Sequence, residues 1–269
     1  MDVRPSPIAG KWYSDNPTTL AQHMTHYMDV PLQYAPQNLY GMLVPHAGHR
    51  FSGRVAGHAF RYLNNAQHPI VVLISPYHHP QHEPLLTSGH DAYKTPLGTI
   101  PIAKDVVHAL GEQLPLTYIK NDPEHAIEIE LPFLQLMLGK FALVPLMMRD
   151  QSWDAVQAIA FALSDVLAGQ SVLYVASSDL SHFYTQQEAQ QLDQVILDAV
   201  AQKQPREILN AEATKRGFAC GRGAIAAVMQ AIALQYGHYQ SHIVSYATSG
   251  DISGDKSSVV GYGAAIFYS

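Results

Sequence analysis

Three short segments carry the residue types from which metal centres and acid–base pairs are built, and each follows an apolar run. Residues 39–45 (LYGMLVP) lead into His46-Ala47-Gly48-His49, and 70–75 (IVVLIS) into Pro76-Tyr77-His78-His79. Residues 171–177 (SVLYVAS) lead into Ser178-Asp179-Leu180-Ser181-His182. A fourth segment, Phe218-Ala219-Cys220-Gly221-Arg222-Gly223, holds the single thiol ahead of the stretch AIAAVMQAIAL. Imidazole is the commonest metal ligand and general base. Taken singly, each piece has an ordinary explanation: a His behind a strand bonds its own loop, and an Asp in Ser-Ser-Asp caps a turn. Adjacent side chains such as His78 and His79 diverge, so at most one of the two enters a shared site. Cys220 falls at or just before a helix N-terminus, where the dipole and Arg222 favour a thiolate. A buried structural cysteine is the bland alternative.

Two imidazoles and one thiolate from separate loops leave open coordination positions, as catalytic sites do. Such a set suits iron, copper or zinc rather than calcium or magnesium. Asp179 and His182 then stand beside it as orienting and acid/base groups. A further cluster runs Asp122-Pro123-Glu124-His125-Ala126-Ile127-Glu128-Ile129-Glu130-Leu131-Pro132. If it is helical, His125 and Glu128 share a face at i, i+3, while Glu124 and Glu128 read equally well as solvated first-turn residues.

These residues converge only if the elements between them bring them together. The three apolar runs read as strands, joined by further strands at 141–147, 241–248 and 258–267. Helices are predicted at 16–30 (Asn16 as N-cap, Pro17 first), 53–63, 103–113, 124–138, 153–168, 187–202, 205–215 and 222–236. Residues 76–101, with Pro76, Pro80, Pro84, Pro96 and Gly98, read as loop-rich. Strands separated by helices predict an α/β fold: a three-layer α/β/α sandwich around a central mixed, largely parallel sheet. No repeat or long linker divides the chain, so residues 1–269 are expected to form a single domain. Ligands of open α/β sheets bind at the carboxyl ends of strands, where the three His-bearing loops lie if their strands are parallel neighbours.

Composition narrows the function classes. The 269 residues include 16 Lys+Arg, 22 Asp+Glu, 15 His and one Cys, for a net charge of -6. At 47% hydrophobic and 14% charged, the chain is globular in type. One cysteine excludes an intramolecular disulfide and an all-thiolate zinc site. The acidic balance without a Lys/Arg block argues against nucleic acid and anionic membranes as partners. No bilayer-spanning run or signal-peptide pattern is visible, so a cytoplasmic location is expected.

The ordered motifs Pro45-His46-Ala47-Gly48, Ser52-Gly53, Pro76-Tyr77-His78-His79, Glu124-His125-Ala126-Ile127-Glu128 with Leu131-Pro132, Ser177-Ser178-Asp179-Leu180-Ser181-His182 and Cys220-Gly221-Arg222 resemble those of Memo proteins. Prokaryotic members are also called AmmeMemoRadiSam system protein B. The resemblance runs from Ala9-Gly10-Lys11-Trp12-Tyr13 to Gly261-Tyr262-Gly263-Ala264. It implies a fold similar to class III extradiol dioxygenases, which hold non-haem Fe(II) with two histidines and a carboxylate. A cysteine takes the carboxylate position in Memo proteins. The implied ligands here are His46, His78 and Cys220, with Asp179 and His182 lining the same pocket. Two positions depart from the family pattern: His49 stands where Tyr is usual, and Tyr77 where Ser is common.

The leading expectation is therefore a metal-dependent redox protein using Fe(II) or Cu, with Zn as a further candidate, and an unidentified small-molecule or peptide ligand. His49, His79, His125, Glu128 and Arg222 are additional pocket candidates. A metal-free hydrolase with Cys220 as nucleophile and His46 or His182 as base is the chemical alternative. A serine nucleophile is weaker, since no G-x-S-x-G elbow is present. An interaction protein using the ancestral cleft is the non-catalytic alternative. The resemblance also implies radical-SAM and AMMECR-type pathway partners.

Overall fold

The fold was analysed in a computed structural model that describes residues 1–63 and 68–269. In chain order the elements begin with β1 (Val3–Arg4), α1 (Pro17–Met28), β2 (Leu39–Val44), α2 (His49–Phe60) and β3 (Ile70–Pro76). They continue with β4 (Leu85–Ser88), β5 (Ala92–Thr95), β6 (Gly98–Pro101), α3 (Lys104–Gly111), β7 (Leu116–Ile119) and α4 (Leu131–Leu138). Next come β8 (Ala142–Met148), α5 (Trp153–Val166), β9 (Val172–Ser177), β10 (His182–Tyr184), α6 (Gln186–Ala201) and α7 (Pro205–Ala213). The chain closes with α8 (Arg222–Tyr236), β11 (Gln240–Thr248), α9 (Ser249–Ser253) and β12 (Val259–Tyr268).

The large sheet runs β10-β12-β2-β9-β3-β8-β4-β7, with β11 on β12. Its centre is parallel: β9 pairs with β2 on one side and β3 on the other, and β3 pairs with β8. β12 is antiparallel to both β2 and β11. The result is a three-layer α/β/α sandwich around a mixed sheet. Every residue of β9, and all but the first of β3 and β8, is buried. A strand is buried on both sides only when helices cover both faces, and unbroken Val/Ile/Leu runs are the signature of that position. Burial continues through α5 and α8, which pack together, and α8 lies on β2, β3 and β9. No helix among the described residues is long and apolar enough to cross a membrane.

Two expectations are corrected. Residues 76–101 are not loop: they hold β4, β5 and β6, and β5 turns into β6 as an antiparallel hairpin through Gly98 at φ +130°. β5 also pairs with β1 in a separate three-stranded sheet. The prolines fall beside these strands or at their ends, where a missing N–H costs nothing. The helix expected at 124–138 begins only at Leu131, behind a short 3₁₀ turn at Glu128–Glu130. The carboxylate of Asp122 accepts from Glu124 N, and that of Glu124 from His125 N and Ala126 N. Such local side-chain bonds take up the N–H groups a helix needs.

The packing beside this segment is tight. Phe133 is fully buried and stacks on Phe60 with centroids 4.7 Å apart and planes within 6°. Phe133→Ala is expected to cost about 3–5 kcal/mol of unfolding free energy, measured by urea denaturation.

Candidate metal centre

The parallel order β2-β9-β3 sets three loops side by side. His46 stands two residues past the end of β2 and is 2% exposed. Its backbone N donates to Asp179 Oδ1 at 2.8 Å, its Nδ1 lies 2.9 Å from Ser177 Oγ, and its Nε2 meets Cys220 Sγ at 3.1 Å. The Ser177 hydroxyl already points its proton at Ala126 O (2.7 Å) or Glu130 Oε1 (3.1 Å). Towards His46 it can therefore only accept, which puts the imidazole proton on Nδ1 and the lone pair on Nε2, facing the thiol. Burial, followed by the nearby His125 and His78, holds the His46 pKa well below its ordinary value, so the ring is neutral.

His78 is fixed in the same way by a different acceptor. Glu124 takes its backbone N at 2.6 Å and its Nδ1 at 3.0 and 3.1 Å. Among the described residues Nε2 has no hydrogen-bond partner, and the ring stands edge-on to His46 with centroids 5.2 Å apart. Burial opposes charge on Glu124, but hydrogen bonds from His78 and the charges of His125 and His78 hold its pKa below the carboxylate range.

Cys220 is presented by a turn that only glycine fits. Gly221 N donates to Ser178 Oγ at 2.8 Å, and Gln151 bridges Cys220 O and Gly223 N at 2.9 and 2.7 Å. A Cβ at 221 would lie 2.8 Å from Ser177 O, and one at 223 equally close to Gln151 Cβ. The ligand atoms of His46, His78 and Cys220 all lie within 4.8 Å of one another. The expected free thiolate is corrected. Burial, reinforced by Asp179, pushes the Cys220 pKa up. The N–H groups of Gly221 and Gly223 are spent on Ser178 and Gln151, and Arg222 turns to Glu212 at 3.0 Å.

The Memo-like protein family profile matches residues 4–266. The chain belongs to the Memo family. It is 32% identical to a MEMO1 family protein of Methanosarcina acetivorans, over 99% of each chain. It is 27% identical to one from Nitrosopumilus maritimus over 98% of this chain and 99% of that one. A MEMO1 family protein of Thermotoga neapolitana is 33% identical over 88% and 85%. Among solved structures, an uncharacterized protein, JW3007, from Escherichia coli K12 aligns with TM-score 0.45 and 12% identity, over 84% of this chain and 99% of that one.

In this Memo chain the remaining candidates divide. His125 joins the centre: it stacks on His78 at 4.8 Å, stands edge-on to His46 at 5.3 Å and lies under Trp12 at 4.3 Å. Its Nδ1 is 3.1 Å from Glu124 Oε1, and burial lowers its pKa to about 4. Asp179 is buried, with burial raising its pKa to about 7. Its carboxylate is spent on the backbone N–H groups of His46 and Ala47 and does not orient His182. His182 instead has Nδ1 on Leu180 O at 2.9 Å. It lines a cavity of about 240 Å³ with Cys220, Tyr184, Phe218, Glu212 and Arg222.

His49, Glu128 and His79 lie elsewhere. His49 is sandwiched by Tyr13 and Phe133 with Nε2 on Ile129 O at 2.7 Å, and burial takes its pKa to about 4. Glu128 does not share a helix face with His125; its carboxylate meets Arg4, Tyr13 and Ser6. The His79 ring packs on Tyr77, itself buried in the core. Glu124, Ser177, Gln151 and Trp12 were not singled out from the sequence as parts of the centre. Glu124, Ser177 and Trp12 stand in the motifs that carry the resemblance, and Gln151 gave no sequence signal at all.

The loop between β9 and β10 is anchored from α6. Asp193 accepts from Ser181 N and from the Tyr246 hydroxyl, both at 2.8 Å, and Gly261 leaves the space its carboxylate fills. Burial raises the Asp193 pKa against those bonds. The folded protein thus holds this proton more tightly than the unfolded chain, whose aspartates titrate near ~3.9. Its contribution is fully present below that value and declines as pH rises through the folded-state pKa. In Asp193→Asn, the change in urea-unfolding free energy on going from about pH 4.5 to about pH 7.5 is expected to be more positive than in wild type, because the contribution that declines with pH is gone.

Proposed function

We propose that this protein is a metal-dependent redox protein of dioxygenase-like type, holding iron or copper, with zinc as the non-redox alternative, through His46, His78 and Cys220. The observation that carries this reading is the convergence of His46 Nε2 and Cys220 Sγ at 3.1 Å beside His78, each imidazole having Nδ1 tied to a fixed protein partner. Such bonds are the usual support of metal-binding histidines, because they fix tautomer and ring direction. The donor set fits the group: two imidazole nitrogens and a soft sulfur, all from loops, leave room for further ligands. The half-buried Cys220 thiol is favoured in its neutral form, and a bound metal would supply the positive charge that a thiolate needs there.

A bound iron or copper would supply redox chemistry at positions open to a small molecule. The chain's own residues would do the rest. Glu124 and Ser177 hold the two imidazoles, and Asp179 holds the loop of His46. His182, with Nδ1 occupied by Leu180 O and its pKa lowered by burial, offers a neutral ring on the cavity wall to take or return a proton. The cavity beside Cys220 is the approach for a small-molecule or peptide ligand. We further infer action as one domain, residues 1–269, in the cytoplasm, alongside radical-SAM and AMMECR-type proteins of a shared pathway.

The same 3.1 Å contact favours a second reading, a metal-free Cys220–His46 nucleophile pair. The upward shift of the thiol pKa weighs against it. Metal analysis of untagged protein purified without chelators separates the two. Close to one metal ion per chain is expected, lost in both His46→Ala and Cys220→Ser. Metal content unchanged by both substitutions overturns the metal centre. Rapid iodoacetamide labelling of Cys220 that added metal does not slow would support the nucleophile.

A further inference from the structure

The N-terminal strand touches none of the three ligands, yet it grips the segment that orients one of them. Arg4 is 1% exposed. Its Nε donates to Asp122 Oδ2 at 2.6 Å and its Nη1 to Glu128 Oε2 at 2.6 Å. Its Nη2 donates to two backbone carbonyls, Asp122 O at 3.0 Å and Glu124 O at 2.5 Å. One planar fork thus fixes three positions of a single loop, which a flexible ammonium cannot do. The fork is itself held: Arg4 pairs in register with Tyr93 of β5, and its guanidinium lies 4.8 Å from the centre of that ring.

The gripped loop is the one whose Glu124 carboxylate receives His78 N and Nδ1. Beyond Arg4, the N-terminal segment adds Tyr13 on Glu128 and Trp12 on His125. The other half of the centre is built independently: His46 rests on Ser177 and Asp179, and Cys220 on Ser178 and Gln151.

We propose that Arg4 is a positioning residue of the metal centre, acting through Glu124 on His78, so that docking of residues 3–13 and metal binding at His46, His78 and Cys220 are coupled. This rests on the metal-centre reading above. Binding linkage is reciprocal: what the docked segment adds to metal affinity, the metal returns to the docking of the segment. Arg4→Lys keeps the buried positive charge and loses the fork.

The test uses the full chain and Co(II) as the probe, read by its d–d and thiolate charge-transfer absorption. Arg4→Lys is expected to bind Co(II) about 10–100-fold more weakly than wild type, with the thiolate band retained because Cys220 and His46 keep their supports. Leu110→Ala, in the fully buried face of α3, is a control for general destabilisation and is expected to keep wild-type affinity. In wild type, amide exchange over residues 3–13 is expected to slow when Co(II) binds, and this holds as a test even if Arg4→Lys does not fold. Wild-type Co(II) affinity in Arg4→Lys, equal weakening in Leu110→Ala, or exchange over residues 3–13 that ignores Co(II) overturns the coupling. If wild type and Cys220→Ser show the same Co(II) response, the metal centre itself falls, an outcome distinct from loss of the coupling alone.

Discussion

A carboxylate buried away from water must be surrounded by donors or take up a proton, and Glu124 meets that demand with backbone and imidazole N–H groups from two loops. Satisfying it dictates the surrounding structure. The segment from 122 to 127 cannot be helical because its N–H groups turn inward. His78 cannot rotate because both its backbone and its ring are held. His125 is drawn against His78 by the same oxygen. Asp179 repeats the device across the site, accepting from the backbone of the His46 loop while its own carbonyl takes Cys220 N at 3.2 Å. Two buried acids thus tie together the segments that carry all three candidate ligands.

These anchors work because the sheet has already removed the larger uncertainty. With β9 between β2 and β3 and all three parallel, the loops after Val44, Pro76 and Ser177 start from adjacent points. The carboxyl-end crevice of an open α/β sheet is where side chains of distant sequence converge at small cost. Cys220 arrives from outside this set, in the turn just ahead of the helix that covers β2, β3 and β9. The glycines on either side of Arg222 let its backbone approach the β9 loop closely enough for sulfur to reach His46.

Much of this was legible in the residues. Short, β-branched unbroken runs such as IVVLIS read as strands buried on both faces, and the polar residues at their ends mark the crevice. The resemblance to Memo proteins added the choice of His78 over His79, and the geometry here sets His78 on Glu124 while His79 packs on Tyr77. What stayed hidden depends on contacts between distant residues. Glu124 and Glu128 are alike in sequence, yet one faces His78 and the other Arg4, and no periodicity separates them. The helical reading of 124–138 failed because local carboxylate bonds outcompeted an apolar spacing. Cys220 looked like a helix-end thiolate, and the partners that take up those helix N–H groups, Ser178 and Gln151, lie 43 and 72 residues away along the chain from the groups they bond.

The contact between His46 and Cys220 closes a loop of 174 residues. During synthesis, the first histidine leaves the ribosome long before its sulfur partner, and the strand that separates the histidine loops, β9, comes late as well. No nascent chain shorter than residue 220 can present this donor set. The thiol then comes to rest half-buried on a cavity wall, where its surroundings favour the protonated form. Order of translation thus makes this juxtaposition of imidazole and thiol a late event in the synthesis of the chain.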